Sequence, residues 1–242
     1  DEAAQQYLAC VSLLQAQNES EEQRRAAQLF YGLAQKLAGR AIYLLAERYL
    51  AAAHALLTAA DDPGDAARLG AIEVDRHAAL YSLGRLDESD RLYEAMQARI
   101  TDPVDRVEPA CLQIRSLFMR AQMTEAMELG LRLLEQLGLD VPAGHPALDT
   151  ERRLDALGVW IRQESRPDRP RRPMLEDPRL LAKAKLLART TWAANYRSDL
   201  KAFVWLLLEN QRMWIENGPC ADLVVSLSRL SNMLVSDRQD FR

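Results

Sequence analysis

Apolar residues recur at three- and four-residue intervals along the whole chain and nowhere alternate strictly with polar ones, so the pattern predicts helices and no sheet. Tyr7, Leu8, Val11 and Leu14 mark a first helix within 1–17. Asn18 to Glu22 breaks it, with Ser20 as an N-cap and acids in the first turn of a second helix, which runs to about Leu37 on Ala26, Leu29, Phe30 and Leu33. Gly39 marks a turn into a helix over 41–58, whose apolar face (Ile42, Leu45, Tyr49, Leu50, Leu56, Leu57) is wide enough to imply burial from two sides. Asp61-Asp62-Pro63-Gly64-Asp65 stops the chain and restarts it as a helix over 65–82 on Leu69, Ile72, Ala79 and Leu80. Gly84 turns it into a helix over 87–99 with Leu92, Tyr93 and Met96 as the inner stripe. Thr101-Asp102-Pro103 resets the pattern, which recurs over 104–120 and 123–137.

Beyond a loop at 138–145, a helix is expected over 149–165 on Leu154, Leu157, Trp160 and Ile161. The basic, proline-rich segment Arg166 to Pro173 cannot be helical throughout. Asp177-Pro178 opens a helix over 178–194, and two more follow near 198–217 and 219–236, joined by Gly218-Pro219. The stretch around Phe203, Trp205, Leu206, Leu207, Trp214 and Ile215 supplies a core for these hairpins.

Two stretches align. In "LYSLGRLDESDRLYEAM" from Leu80 and "LFMRAQMTEAMELGL" from Leu117, a small residue (Gly84, Ala121) is followed five positions later by another (Ser89, Ala126). The spacing of 37 residues between the two is close to the roughly 34-residue period of a tetratricopeptide (TPR) repeat, in which two antiparallel helices form one unit. All four small residues are expected to let paired helices approach closely. The fold class is therefore all-α: TPR-like antiparallel helical-hairpin repeats in a right-handed superhelix of about ten or eleven helices. Residues 1–142 form the repeats, and 143–242 add hairpins that continue the array after the Pro/Arg-rich loop at 166–178.

Composition changes this picture little. The 242 residues are 48% hydrophobic and 27% charged, enough for a sizeable core. A net charge of −4 gives no support for nucleic acid as a partner. Cys10, Cys111 and Cys220 are sparse and lack C-x-x-C spacing, which suggests reduced thiols and a cytoplasmic home. No apolar run reaches the roughly 18 residues of a bilayer span, so membrane insertion is not expected. The sequence opens on Asp1-Glu2 and stops at Phe241-Arg242, and the expectation is a segment of a longer protein.

Catalytic chemistry finds no foothold. None of the phosphate-loop, dinucleotide-binding, zinc-protease or nucleophile-elbow motifs occurs. Of the histidines His54, His77 and His145, the first two lie in helices without a second ligand at metal spacing and read as ordinary helix histidines. Cys111 lies one turn from Arg115, which would lower its pKa, but a buried inert thiol is the simpler reading. The arginines between Arg162 and Arg179 have the charge to grip phosphate but no aromatic residues to stack bases, and read as a soluble connector. No catalytic residue, cofactor or metal is expected.

A binding groove is the remaining source of function. On the helix before Gly84 the inward stripe is Ala71, Val74, Ala78 and Tyr81; on the helix before Ala121 it is Glu108, Cys111, Arg115 and Phe118. The candidate groove contacts are Val74, Tyr81, Glu108, Arg115 and Phe118. Only Arg115 suits a carboxylate clamp, so a groove ligand is expected to be held mostly by apolar contact.

Four segments in order, "AGRAIYLLAERYLAAAHALL" (Ala38–Leu57), "LYSLGRLDESDRLYEAM" (Leu80–Met96), "EAMELGLRLLEQLGLDVP" (Glu125–Pro142) and "PMLEDPRLLAKAKLLARTTWAANYRSDL" (Pro173–Leu200), resemble the helical-repeat region of very large bacterial signalling proteins. Those proteins place a serine/threonine-kinase-like domain and an AAA/STAND-type ATPase before this region, and a GAF domain with a sensor histidine kinase or another output after it. The resemblance spans nearly the whole chain; its most specific parts are the Leu137-Gly138…Pro142 ending and the Met174…Asp177-Pro178…Leu180-Leu181 opening. Departures are Ser89, where alanine is common, and the arginine-rich stretch Arg166–Arg172. The resemblance implies a non-catalytic regulatory or scaffold arm. It would bind a protein or peptide, neighbouring domains of the same chain, or a small-molecule inducer, and couple an ATPase or kinase module to an output domain. The alternative is a stand-alone TPR-type adaptor that clasps a peptide in a largely apolar groove.

Overall fold

The computed structural model describes residues 8, 11–16, 20–60, 62–141, 150–164, 172–196 and 200–228. Every regular element among these is a helix, and none is a strand. The chain divides into two compact units, Asp1–Thr101 and Asp102–Arg242, with the seam at the Thr101-Asp102-Pro103 reset.

The first unit contains α1 (Val11–Ala16), α2 (Ser20–Ala38), α3 (Tyr43–Ala60), a 3₁₀ turn (Pro63–Asp65), α4 (Ala66–Ser82) and α5 (Leu86–Arg99). Helix α3 packs against both α2 and α4, as its broad apolar face predicts. Its Leu50, Leu56 and Leu57 are fully buried with Phe30 and Ile72, and the Phe30 and Tyr49 rings lie 5.5 Å apart. Ala26, Ala27, Ala34, Ala46 and Ala53 are buried in the same core, where a methyl group in place of a longer side chain lets helix backbones come close. Of the acids before α4, Asp62 caps the 3₁₀ turn, its carboxylate accepting from the Gly64 N–H at 2.8 Å, whereas buried Asp65, at the N-cap of α4, makes no capping bond and pairs with Arg24 and Arg68.

Of the predicted stripe on α5, Tyr93 and Met96 are buried while Leu92 is only half-buried. Two further carboxylates are buried as well. Glu47 on α3 accepts from Arg76 at 3.1 Å and Arg85 at 2.9 Å; Glu73 on α4 meets His54 at 2.8 Å and also pairs with Arg99. A carboxylate taken out of water needs such partners, so these pairs tie α3 to α4 and α4 to α5 at fixed points rather than adding much net stability.

The second unit contains α6 (Val107–Met119), α7 (Met123–Gln136), α8 (Thr150–Glu164), α9 (Pro178–Tyr196), α10 (Leu200–Asn217) and a helical stretch at 221–228. Helix α9 packs against α6, α7 and α10, and α8 packs against α10. Ile114, Met127, Leu134, Leu157 and Leu186 are fully buried, and the Trp160 and Trp214 rings meet edge to face at 5.9 Å. Positions 202–211 of α10 are all buried, so this helix is covered on every side. Lys183 on α9 donates to the Gly138 carbonyl at 3.2 Å, and Arg172 donates to the Ile215 carbonyl at 2.7 Å. The loop from 142, most of the Arg/Pro segment (165–171), His145, Cys10 and the chain beyond 228 lie outside the described residues.

The turns account for the aligned stretches. After α2, α4, α6 and α7 one residue takes a left-handed φ: Ala41 (58°), Gly84 (72°), Ala121 (61°) and Gly138 (77°). The next residue's N–H reaches back to a leucine carbonyl five positions earlier: Ile42 to Leu37, Arg85 to Leu80, Gln122 to Leu117 and Leu139 to Leu134, at 2.9–3.0 Å. This is the Schellman closure, which satisfies carbonyls orphaned at a helix end. Five residues beyond three of these turns stand Ala46, Ser89 and Ala126, all completely buried.

The four small positions read from the sequence therefore have two jobs. Ser89 and Ala126 sit at helix contacts as expected, but Gly84 and Ala121 are exposed and serve the chain reversal. A Cβ on Gly84 would meet no atom within 4 Å, so conformation rather than crowding favours glycine there. Gly84→Ala is expected to lower stability by about 1 kcal/mol, and Ala121→Gly to raise it by about 0.5 kcal/mol as relief of strain outweighs the added freedom of the unfolded chain. Urea titration followed by circular dichroism measures both, and equal and same-signed shifts would contradict the assignment.

Candidate binding groove

The sequence-derived groove residues fall on two helices in different units. Val74 and Tyr81 are half-buried on α4, and Glu108, Arg115 and Phe118 follow one another along α6. Of these, the structure brings Arg115 and Phe118 together at a pocket of about 220 Å³ between α6 and α9. Ile114 and Met119 complete the α6 wall; Arg189, Trp192 and Ala193 form the α9 wall.

Aromatic rings define the site. Phe118 meets Tyr196 edge to face at 4.8 Å and Trp192 at 6.4 Å, and Trp192 and Tyr196 lie 6.4 Å apart. Edge-to-face contact is the arrangement that ring quadrupoles favour, so the three rings hold one another in place. The apolar surface continues outward through Met119, 69% exposed, and Tyr196, 56% exposed. Glu108 points to solvent one stretch back along α6 and is paired with Lys185 of α9. Arg189 makes no hydrogen bond or ion pair with any described residue.

Of the residues lining this pocket the sequence pattern singles out Arg115 and Phe118 on α6 and none on α9. The signal was present: Arg189, Trp192 and Tyr196 stand at helical spacing on one face of α9, matching Arg115, Phe118 and Met119 across the groove.

The other candidate groups that the structure describes are buried or paired. Cys111 is buried, and burial pushes its thiol up to about 12, against the weaker opposing pull of Arg189 and Lys185. It is therefore neither a thiolate nor a nucleophile at neutral pH. His54 is bound to Glu73, and the His77 ring is buried 5.5 Å from Tyr93. Among the described residues no group of three or more His, Cys, Asp or Glu side chains is placed to hold a metal ion, and no helix is long and apolar enough to cross a membrane.

A second cavity of about 180 Å³ lies between α9 and α10, lined by Lys183, Glu209, Arg212 and Glu216 among others. Burial and nearby Arg212 lower the Lys183 pKa. Its two cations, Lys183 and Arg212, are matched in number by Glu209 and Glu216, with Arg212 2.7 Å from Glu209, so the lining carries no excess of either sign to attract a ligand.

Comparison of the chain with protein-family models, with curated proteins and with solved structures found no match.

Proposed function

We propose that the chain is a non-catalytic arm of TPR-like hairpin repeats, wound as a right-handed superhelix, that holds a protein partner in the α6–α9 groove. The observation that carries this reading is a solvent-open, aromatic-walled pocket with an exposed methionine in its wall and an exposed tyrosine beside it. Exposed apolar groups gathered in one place, rather than scattered singly, mark an interaction surface. The repeated hairpin closure at Ala41, Gly84 and Ala121 supports the repeat architecture. The resemblance to the helical region of large cytoplasmic signalling proteins supports a regulatory role, in which partner binding shifts the equilibrium of an adjoining ATPase or kinase module.

The reading is tested by placing a photo-crosslinking amino acid at Met119 and, as a control, at exposed Glu135. A partner of defined mass captured from Met119 and absent from the Glu135 control is the expected outcome. Turnover of a nucleotide or phosphoester by the purified protein, abolished by one point substitution, would replace the scaffold reading with an enzymatic one.

A further inference from the structure

Resting on the reading of the α6–α9 groove as a partner site, we infer that its occupant is an acidic segment of a protein, with a large apolar side chain one or two residues from an aspartate or glutamate. Three observations converge on that chemistry. The pocket, at about 220 Å³, is smaller than the roughly 300–1,000 Å³ typical of small-molecule sites. It suits one buried side chain rather than a whole ligand. Apolar surface also continues past it: Met119, on its wall, is 69% exposed and Tyr196, outside its lining, is 56% exposed, and only a longer chain passing over the groove would cover both.

The walls are preorganised for an apolar anchor. Phe118, Trp192 and Tyr196 already contact one another, so an entering phenylalanine, leucine or methionine side chain meets rings that lose little freedom on binding.

Charge then selects what stands beside the anchor. Each wall contributes one guanidinium, Arg115 from α6 and Arg189 from α9. Lys185, one turn before Arg189, is already answered by Glu108, whereas Arg189 has no carboxylate among the described residues. Arg115 is already engaged within the protein, so the unanswered positive charge at the groove is that of Arg189, on a chain whose net charge is −4. A carboxylate on the partner can accept hydrogen bonds from a guanidinium in paired geometry, and a basic segment would be repelled.

Four fluorescently labelled octapeptides test this by anisotropy: one with phenylalanine flanked by aspartates, its asparagine counterpart, its lysine counterpart, and the aspartate peptide with alanine at the anchor. The aspartate–phenylalanine peptide should bind best. The asparagine version should be weaker by about five- to tenfold, since exposed ion pairs contribute modestly, and the gap should close as salt is raised. The alanine version should be weaker still. R115E/R189E, with far-UV circular dichroism unchanged, should invert the preference toward the lysine peptide. Equal binding of the aspartate and asparagine peptides would overturn the acidic assignment while leaving the groove a partner site. If free N-acetylphenylalanine binds as tightly as the octapeptide, the occupant is a small carboxylate and the inference is wrong. Failure of every peptide to bind likewise rejects it, and the Met119 crosslink then decides separately whether the groove is used at all.

Discussion

Met96→Asp is expected to destabilise the protein by about 5 kcal/mol, and Leu92→Asp by about 1–2 kcal/mol. Both side chains belong to the stripe that periodicity assigns to the inner face of α5, yet Met96 is 1% exposed and Leu92 half-buried. At Met96 an aspartate would lose the thioether's contacts and leave a carboxylate with no water. At Leu92 the same carboxylate could turn outward and stay solvated. A domain of about 100 residues has only about 5–15 kcal/mol in hand, so the first change consumes most or all of it. Urea midpoints of the two variants measure the difference. Equal midpoints would show that the face of α5 is not set as described.

Gly130→Ala is expected to cost about 2–3 kcal/mol, although alanine is favoured over glycine within a helix by about 1 kcal/mol. On α7 a Cβ at this position would overlap Oγ1 of Thr190, with Cγ2 of the same residue 2.8 Å away. Thr190 cannot turn aside freely. It is completely buried, and its hydroxyl donates to the Leu186 carbonyl at 2.8 Å. The backbones of α7 and α9 would have to separate, at the contact that holds α9 beside α6 and so shapes the groove. Thr190→Ala introduced with Gly130→Ala removes Oγ1 and Cγ2 and should recover at least half of the loss, a coupling read from a double-mutant cycle. Additive effects of the two substitutions would exclude direct contact.

The hairpin turns show where sequence reading succeeded and where it stopped. Gly84 and Ala121 were found because two stretches align, but the third copy, Ala41 followed by Ala46, escaped. Nearby Gly39 attracted the turn assignment, while the left-handed residue is the less conspicuous alanine. What the turns share in sequence is a leucine four residues before the left-handed residue (Leu37, Leu80, Leu117, Leu134), whose carbonyl accepts the closing bond. A backbone hydrogen bond leaves only this faint trace in side-chain identity.

The groove divides in the same way. Arg115 and Phe118 were legible because they lie on one helix stripe, and a stripe is a local property. Arg189 and Trp192 were not linked to them, since α9 stands about seventy residues further on and comes beside α6 only through packing against both α6 and α7, closest to α7 at Gly130 and Thr190.

By itself the sequence determined that this is a helical protein, which residues share a helix face, and roughly where each helix starts and stops. Those features follow from spacing, capping and the backbone limits of glycine and proline, all acting within a few residues. Only the tertiary structure decided which half of a stripe is buried, which small residue reverses the chain and which permits contact, and which second helix supplies the other wall of the pocket. Those outcomes depend on side-chain volumes and charges meeting across long stretches of sequence, and no local pattern encodes such meetings.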